Sequence, residues 1–248
     1  MFGFKTGPFP TFTPRRAITV DLRSLVMGQT LSEPVTSKET TGCENVYVKV
    51  ASSCMQGWRM NMEDAHTHIL ALSEDKEAAF FAVYDGHGGN LALSRALGDF
   101  VFKKNDRKRA EEQIVTAYPD VVVRDITIEH EFIVLACDGI WDVLTNQEVI
   151  DFVRARLAQQ MLPDQICEEL MMRCLAPDCQ MGGLGCDNMT VVLVCLLQGQ
   201  PWEDLCLKCG RPKMADRLVD IHTPPGDIDL HPENSLLSTE ARDWSEAK

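Results

Sequence analysis

Three apolar runs in this chain each abut an aspartate. Ala78 to Tyr84 runs into Asp85-Gly86, and Phe132 to Cys137 runs into Asp138-Gly139. Met189 to Leu196 is preceded by Asp187, after a Gly182-Gly183-Leu184-Gly185 stretch. Short continuous apolar runs bounded by such breakers read as strands buried on both faces. If the three ends meet at one rim of a sheet or sandwich, three carboxylates converge. Converging carboxylates repel one another unless a cation neutralises them. Oxygen donors of this kind suit magnesium, manganese or calcium. A glycine beside an aspartate lets backbone approach a ligand closely. Taken singly, an Asp-Gly reads first as a hairpin turn; two of them, each ending a buried run and joined by Asp187, bring the two readings level.

Upstream, Gly57-Trp58-Arg59-Met60-Asn61-Met62-Glu63-Asp64 joins an arginine to two acids. A guanidinium forks onto phosphate oxygens. Alone, the segment reads as a solvated charged turn. The formal net charge is −13. That argues against a nucleic-acid binder, which needs a basic face to displace counterions. The ten cysteines sit largely among apolar residues and read mostly as reduced thiols. Cys206-Leu207-Lys208-Cys209 has no second ligand pair at zinc-finger spacing, so it is a weak zinc signal.

Residues 1–44 read as a flexible N-terminal segment, 45–198 as the folded domain and 199–248 as an acidic, disordered tail. Within the first segment, Met27-Gly28-Gln29-Thr30-Leu31-Ser32 has the pattern of an N-myristoylation signal. It acts only if translation starts at Met27, and only then is a membrane contact expected. Val121 to Ile128 reads as a further strand. Thr145-x-x-Glu148 is a capping box, and Val149, Val153, Leu157 and Met161 follow at helical spacing. Pro163 opens a second helix with Ile166, Leu170 and Cys174 as its buried stripe, and Pro177 stops it.

Read together, five ordered segments resemble the metal-dependent (type 2C, or PPM) serine/threonine phosphatases. They are Gln56-Gly57-Trp58-Arg59 with Met62-Glu63-Asp64, then Val83-Tyr84-Asp85-Gly86-His87-Gly88-Gly89, then Ser94-Arg95-Ala96-Leu97-Gly98-Asp99. Ala136-Cys137-Asp138-Gly139-Ile140-Trp141-Asp142 and Asp187-Asn188-Met189-Thr190 complete the set. The resemblance implies an α+β fold, an α-β-β-α sandwich with two Mg2+ or Mn2+ ions at one rim. It implies that Asp85 bridges the ions, that the Gly86 carbonyl binds one, and that Asp138 and Asp187 hold the other. Glu63 and Asp64 would act through metal-bound waters. Arg59 would clamp the phosphate, a water between the metals would attack phosphorus in line, and His87 would protonate the leaving oxygen. Phosphorylated proteins are the implied substrates, and a cytoplasmic or nuclear monomer is expected.

The chain departs from the family at one place. Only Asn90 to Leu93 separate the two motifs that a long block of helices and strands divides in the family. The domain therefore reads as internally truncated between 89 and 94, and the sandwich as incomplete. Neighbouring strands would be left unpaired and one sheet face open to water. This gives two functional readings: a metal-dependent protein phosphatase, or a catalytically inactive variant that binds or competes for phosphatase partners.

Overall fold

The structure, a computed structural model, describes residues 30–87, 93–179 and 183–212. Among them are six strands: β1 (Thr30–Glu44), β2 (Val48–Arg59), β3 (Ala65–Ile69), β4 (Phe80–Tyr84), β5 (Phe132–Ala136) and β6 (Met189–Leu196). Four helices accompany them: α1 (Asp138–Trp141), α2 (Asn146–Leu157), α3 (Pro163–Cys174) and α4 (Trp202–Cys209). β1, β2, β6 and β5 form one antiparallel sheet in that order, and β3 and β4 form a second sheet of two strands. The α+β class is as expected.

The strand β6 sets the layering, because its side chains alternate between two cores. Val191, Leu193 and Cys195 face the helices and meet Val149, Val153, Leu157, Ile166 and Leu170. Val192, Val194 and Leu196 face the small sheet, where Phe81 and Val83 pack against them. All eight residues of β6 are buried, so the continuous apolar run fits a central strand covered on both sides. The two helical stripes read from the sequence are the faces that bury. Thr145 caps α2 with the expected box, its hydroxyl accepting from the Glu148 N–H.

Four expectations need correction. Residues 30–44 are not flexible: they form β1, whose polar sequence hid it. Hydroxyl pairs stitch β1 to β2, with Thr40 Oγ1 at 2.8 Å from Ser53 Oγ and Thr41 Oγ1 at 2.9 Å from Ser52 Oγ. The segment after residue 198 is not wholly a tail, because α4 docks Leu205 and Cys209 into the helical core. There Cys206 and Cys209 are buried free thiols. Val121 to Ile128 is not a strand: Val122 and Val123 are 74% and 86% exposed and no described strand runs beside them. The run β4 is not buried on both faces either. Phe80 and Tyr84 lie open to solvent opposite Ile69 and Ala65 of β3, because no described element covers that face.

Cys179 and Cys186 are paired as a disulfide, and the other eight cysteines are free. No helix among the described residues is long and apolar enough to cross a membrane. Met27 to Gln29 of the myristoylation pattern, Gly88 and Gly89 of the glycine motif, and residues 213–248 of the acidic segment lie outside the described residues.

The two faces of the molecule predict different responses to truncation. Leu170 is fully buried in α3. Leu170→Ala should cost about 2–5 kcal/mol through lost burial and a residual cavity. Phe80→Ser, on the open face, should change stability by about 0.5 kcal/mol or less. Guanidinium denaturation of both variants checks the contrast.

Candidate active site

The site is built where β2 ends. Gly57 adopts φ +66°, and a Cβ there would stand 2.8 Å from the Asp187 carbonyl oxygen. Only glycine fits this left-handed position against that backbone. Trp58 is buried beside it and its indole N–H donates to the Ala176 carbonyl at 3.0 Å. The strand then delivers Arg59, whose guanidinium donates to and pairs with the Asp187 carboxylate.

The chain returns through Glu63 and Asp64 into β3. The Glu63 N–H donates to Asn188 Oδ1 at 2.9 Å, and the Thr190 hydroxyl donates to Asp64 Oδ2 at 2.8 Å. The end of β4 lies directly on this turn. A Cβ on Gly86 would be 2.2 Å from the Glu63 carbonyl oxygen, so a side chain is excluded there by sterics alone. Asp85 precedes it, and the Asp138 N–H approaches Asp85 Oδ2 at 3.5 Å. His87 follows, with Nε2 at 3.3 Å from Asp99 Oδ2. That carboxylate oxygen is buried and the approach lacks hydrogen-bond geometry.

Six of the eight sequence-predicted residues therefore share one rim. Arg59, Asp85, Gly86, His87, Asp138 and Asp187 line an open cleft of about 870 Å³. Glu63 and Asp64 stand behind it. The electrostatics are those of a carboxylate cluster in which Arg59 pairs with Asp187 alone. Burial, then the charges of Asp85, Asp187 and Asp142, push Asp138 up to about 6. Burial and the Asp64 charge raise Asp85 as well. Burial also raises Asp64, against the Thr190 hydrogen bond that works to lower it.

Hard carboxylate donors that repel one another fit a divalent cation in chemistry. Their spacing does not yet form a cage: among the described residues no three His, Cys, Asp or Glu side chains are grouped as one ion's ligands. Arg59 engages Asp187, and Thr190 engages Asp64. Sequence reasoning gave no role to Asn188, Thr190, Asp99 or Cys137. The Cys137 thiol donates to the Asn188 carbonyl at 3.4 Å, and burial pushes its pKa well up, which makes it a structural thiol rather than a nucleophile.

Comparison with known proteins identifies the class. The family model of protein phosphatase 2C matches residues 48–90 and 88–181, two segments that meet where the internal truncation was read. A probable protein phosphatase 2C of Caenorhabditis elegans is 44% identical over 317 residues, covering 81% of this chain and 88% of that one. Protein phosphatase 2C homolog 3 of Schizosaccharomyces pombe is 35% identical over 291 residues, 69% of this chain and 70% of that one. Protein phosphatase 1G of Bos taurus is 45% identical over 153 residues, 59% of this chain and 28% of that one. The nematode alignment is longer than this chain's 248 residues, so the relative carries residues with no counterpart in it.

A two-sheet α+β core with this rim is the scaffold of a protein phosphatase. The chain belongs to the protein phosphatase 2C family, and by that membership is a protein serine/threonine phosphatase.

The carboxylate cluster predicts a pH response. A carboxyl raised above its unfolded value keeps more protons in the folded state, so its contribution is favourable below the unfolded value of 3.8 and is lost as pH rises through about 6. In metal-free protein, Asp138→Asn should therefore raise the melting temperature at pH 7.5, and the gain should shrink towards pH 5. Thermal denaturation across that range checks it; a loss of stability at pH 7.5 would contradict the repulsion argument.

Proposed function

We propose that the chain hydrolyses phosphoserine and phosphothreonine in proteins, with Mg2+ or Mn2+ as cofactor. The observation that supports this most is the sharing of one cleft by Arg59, His87, Asp85, Asp138 and Asp187. Asp85, the Gly86 carbonyl, Asp138 and Asp187 would hold two ions, with Glu63 and Asp64 behind them. Bound cations would supply the positive charge and Lewis acidity that phosphate-ester hydrolysis needs. Arg59 would exchange part of its pairing with Asp187 for the phosphate oxygens, which match its planar fork. His87, beside Asp99, would donate a proton to the departing serine or threonine oxygen. Surface residues around the cleft would orient a phosphorylated protein segment.

A second reading is favoured by specific features. The β3–β4 sheet has an open face, no three carboxylates are grouped as ligands among the described residues, and Arg59 is engaged by Asp187. A chain of this kind could bind phosphoproteins without turning them over. A phosphothreonine peptide incubated with the purified chain and Mn2+ separates the two. Release of inorganic phosphate that EDTA abolishes supports the phosphatase. Saturable binding of intact peptide with no release supports the competitor.

A further inference from the structure

One side chain ties the loops of this site together. Asn188 is 4% exposed and lies between Asp187 and the start of β6. Its Nδ2 group donates to the Gln56 carbonyl at 2.8 Å and the Asn61 carbonyl at 3.0 Å. Its Oδ1 accepts the Glu63 N–H at 2.9 Å. Three of the amide's bonds therefore go to backbone on both sides of Arg59. Its own N–H donates to Asp187 Oδ1 at 2.7 Å, which fixes the carboxylate that Arg59 pairs with. Its carbonyl takes the Cys137 thiol at 3.4 Å, next to Asp138.

The Gln56 amide ties the entry to the turn from Met60 to Asp64 through the Arg59 and Met60 carbonyls, and the Thr190 hydroxyl ties its exit at Asp64. Asn188 holds the stretch between, at the Asn61 carbonyl and the Glu63 N–H. The backbone around it is polar and bends away from the sheet, so its carbonyls and N–H groups need partners. Asn offers two donors and an acceptor in one plane, which no apolar residue or acid can reproduce. Buried and fully satisfied, such a group specifies one geometry.

We propose that Asn188 is the positioning residue of this site, holding Arg59 and the Glu63-Asp64 turn in register with Asp187 and Asp138. It touches no substrate. It acts through Arg59, Glu63 and Asp187. The inference rests on the phosphatase reading above.

The test uses the full chain and two variants, Asn188→Ala and Asn188→Asp. The first removes every side-chain bond. The second keeps an acceptor for the Glu63 N–H and loses both donors. Site-resolved hydrogen exchange reads the Glu63 amide, with the Val192 amide in β6 as the control for an intact sheet. Calorimetric titration with Mn2+ alone reads the site. Asn188→Ala should release the Glu63 amide while Val192 stays protected, and should weaken Mn2+ binding about 10–100-fold, the range for residues that orient metal ligands. Asn188→Asp should keep Glu63 protected, and it carries the test if the alanine variant does not fold. Unchanged Glu63 exchange in the alanine variant, or released Glu63 with unchanged Mn2+ affinity, overturns this inference alone. If the Ala variant does not fold and Asn188→Asp loses Glu63 protection, the inference also falls. A wild-type chain that binds no Mn2+ overturns the phosphatase reading and this inference with it.

Discussion

Gly139→Ala should destabilise the protein by about 3 kcal/mol, the upper end of what overpacking costs. Gly139 lies in the first turn of α1, buried against the start of β6. A Cβ there would stand 2.1 Å from the Asn188 carbonyl oxygen and 3.2 Å from Met189 Cγ. The first contact is with backbone, so no rotamer change relieves it. Either α1, which carries Asp138, lifts, or the start of β6, which follows Asp187, shifts. Gly210→Ala is the control, because its added Cβ meets its neighbours at 3.5 Å or more in ordinary helical backbone. That variant should differ from wild type by about 0.5 kcal/mol or less. Guanidinium denaturation reads both, and equal midpoints for the two would contradict the packing described.

Arg59→Ala should lower kcat/KM for a phosphothreonine peptide on the order of 100-fold, mainly through KM. The guanidinium is the cleft's match for a phosphate dianion, and removing it removes charge-assisted bonds present in ground state and transition state alike. It also leaves Asp187 without its cation beside Asp85 and Asp138. Arg59→Lys should recover part of the loss, since it keeps the charge and loses the fork. Steady-state kinetics of the three proteins decides the matter. A kcat loss with KM unchanged would instead give Arg59 a role confined to the transition state.

Much of this was legible in the sequence, for reasons that differ by element. The central strand β6 was readable because burial on both faces makes it a near-continuous apolar run, with Thr190 its one polar residue. The helices α2 and α3 were readable because a capping box and an N1 proline mark their starts and apolar residues recur at helical spacing. The shared rim of Asp85, Asp138 and Asp187 was readable because each sits at a strand end. β1 was missed because Ser and Thr hydroxyls, not apolar alternation, join it to β2. Val121 to Ile128 was misread because its composition suits a strand that finds no partner here. Asn188 carried no signal, since its bonds go to backbone carbonyls and an N–H whose positions only the fold sets.

The central question is whether these carboxylates form a working site in a chain that lacks part of its relatives' domain. The most direct measurement is phosphate release from a phosphothreonine peptide at saturating Mn2+, with wild type and Asp138→Asn side by side in protein shown to be folded. The account predicts release by wild type that EDTA abolishes, and a loss of at least about 100-fold in the variant, since the carboxylate removed is one of the proposed metal ligands. No release by folded wild-type chain, or equal release by both proteins, would contradict it.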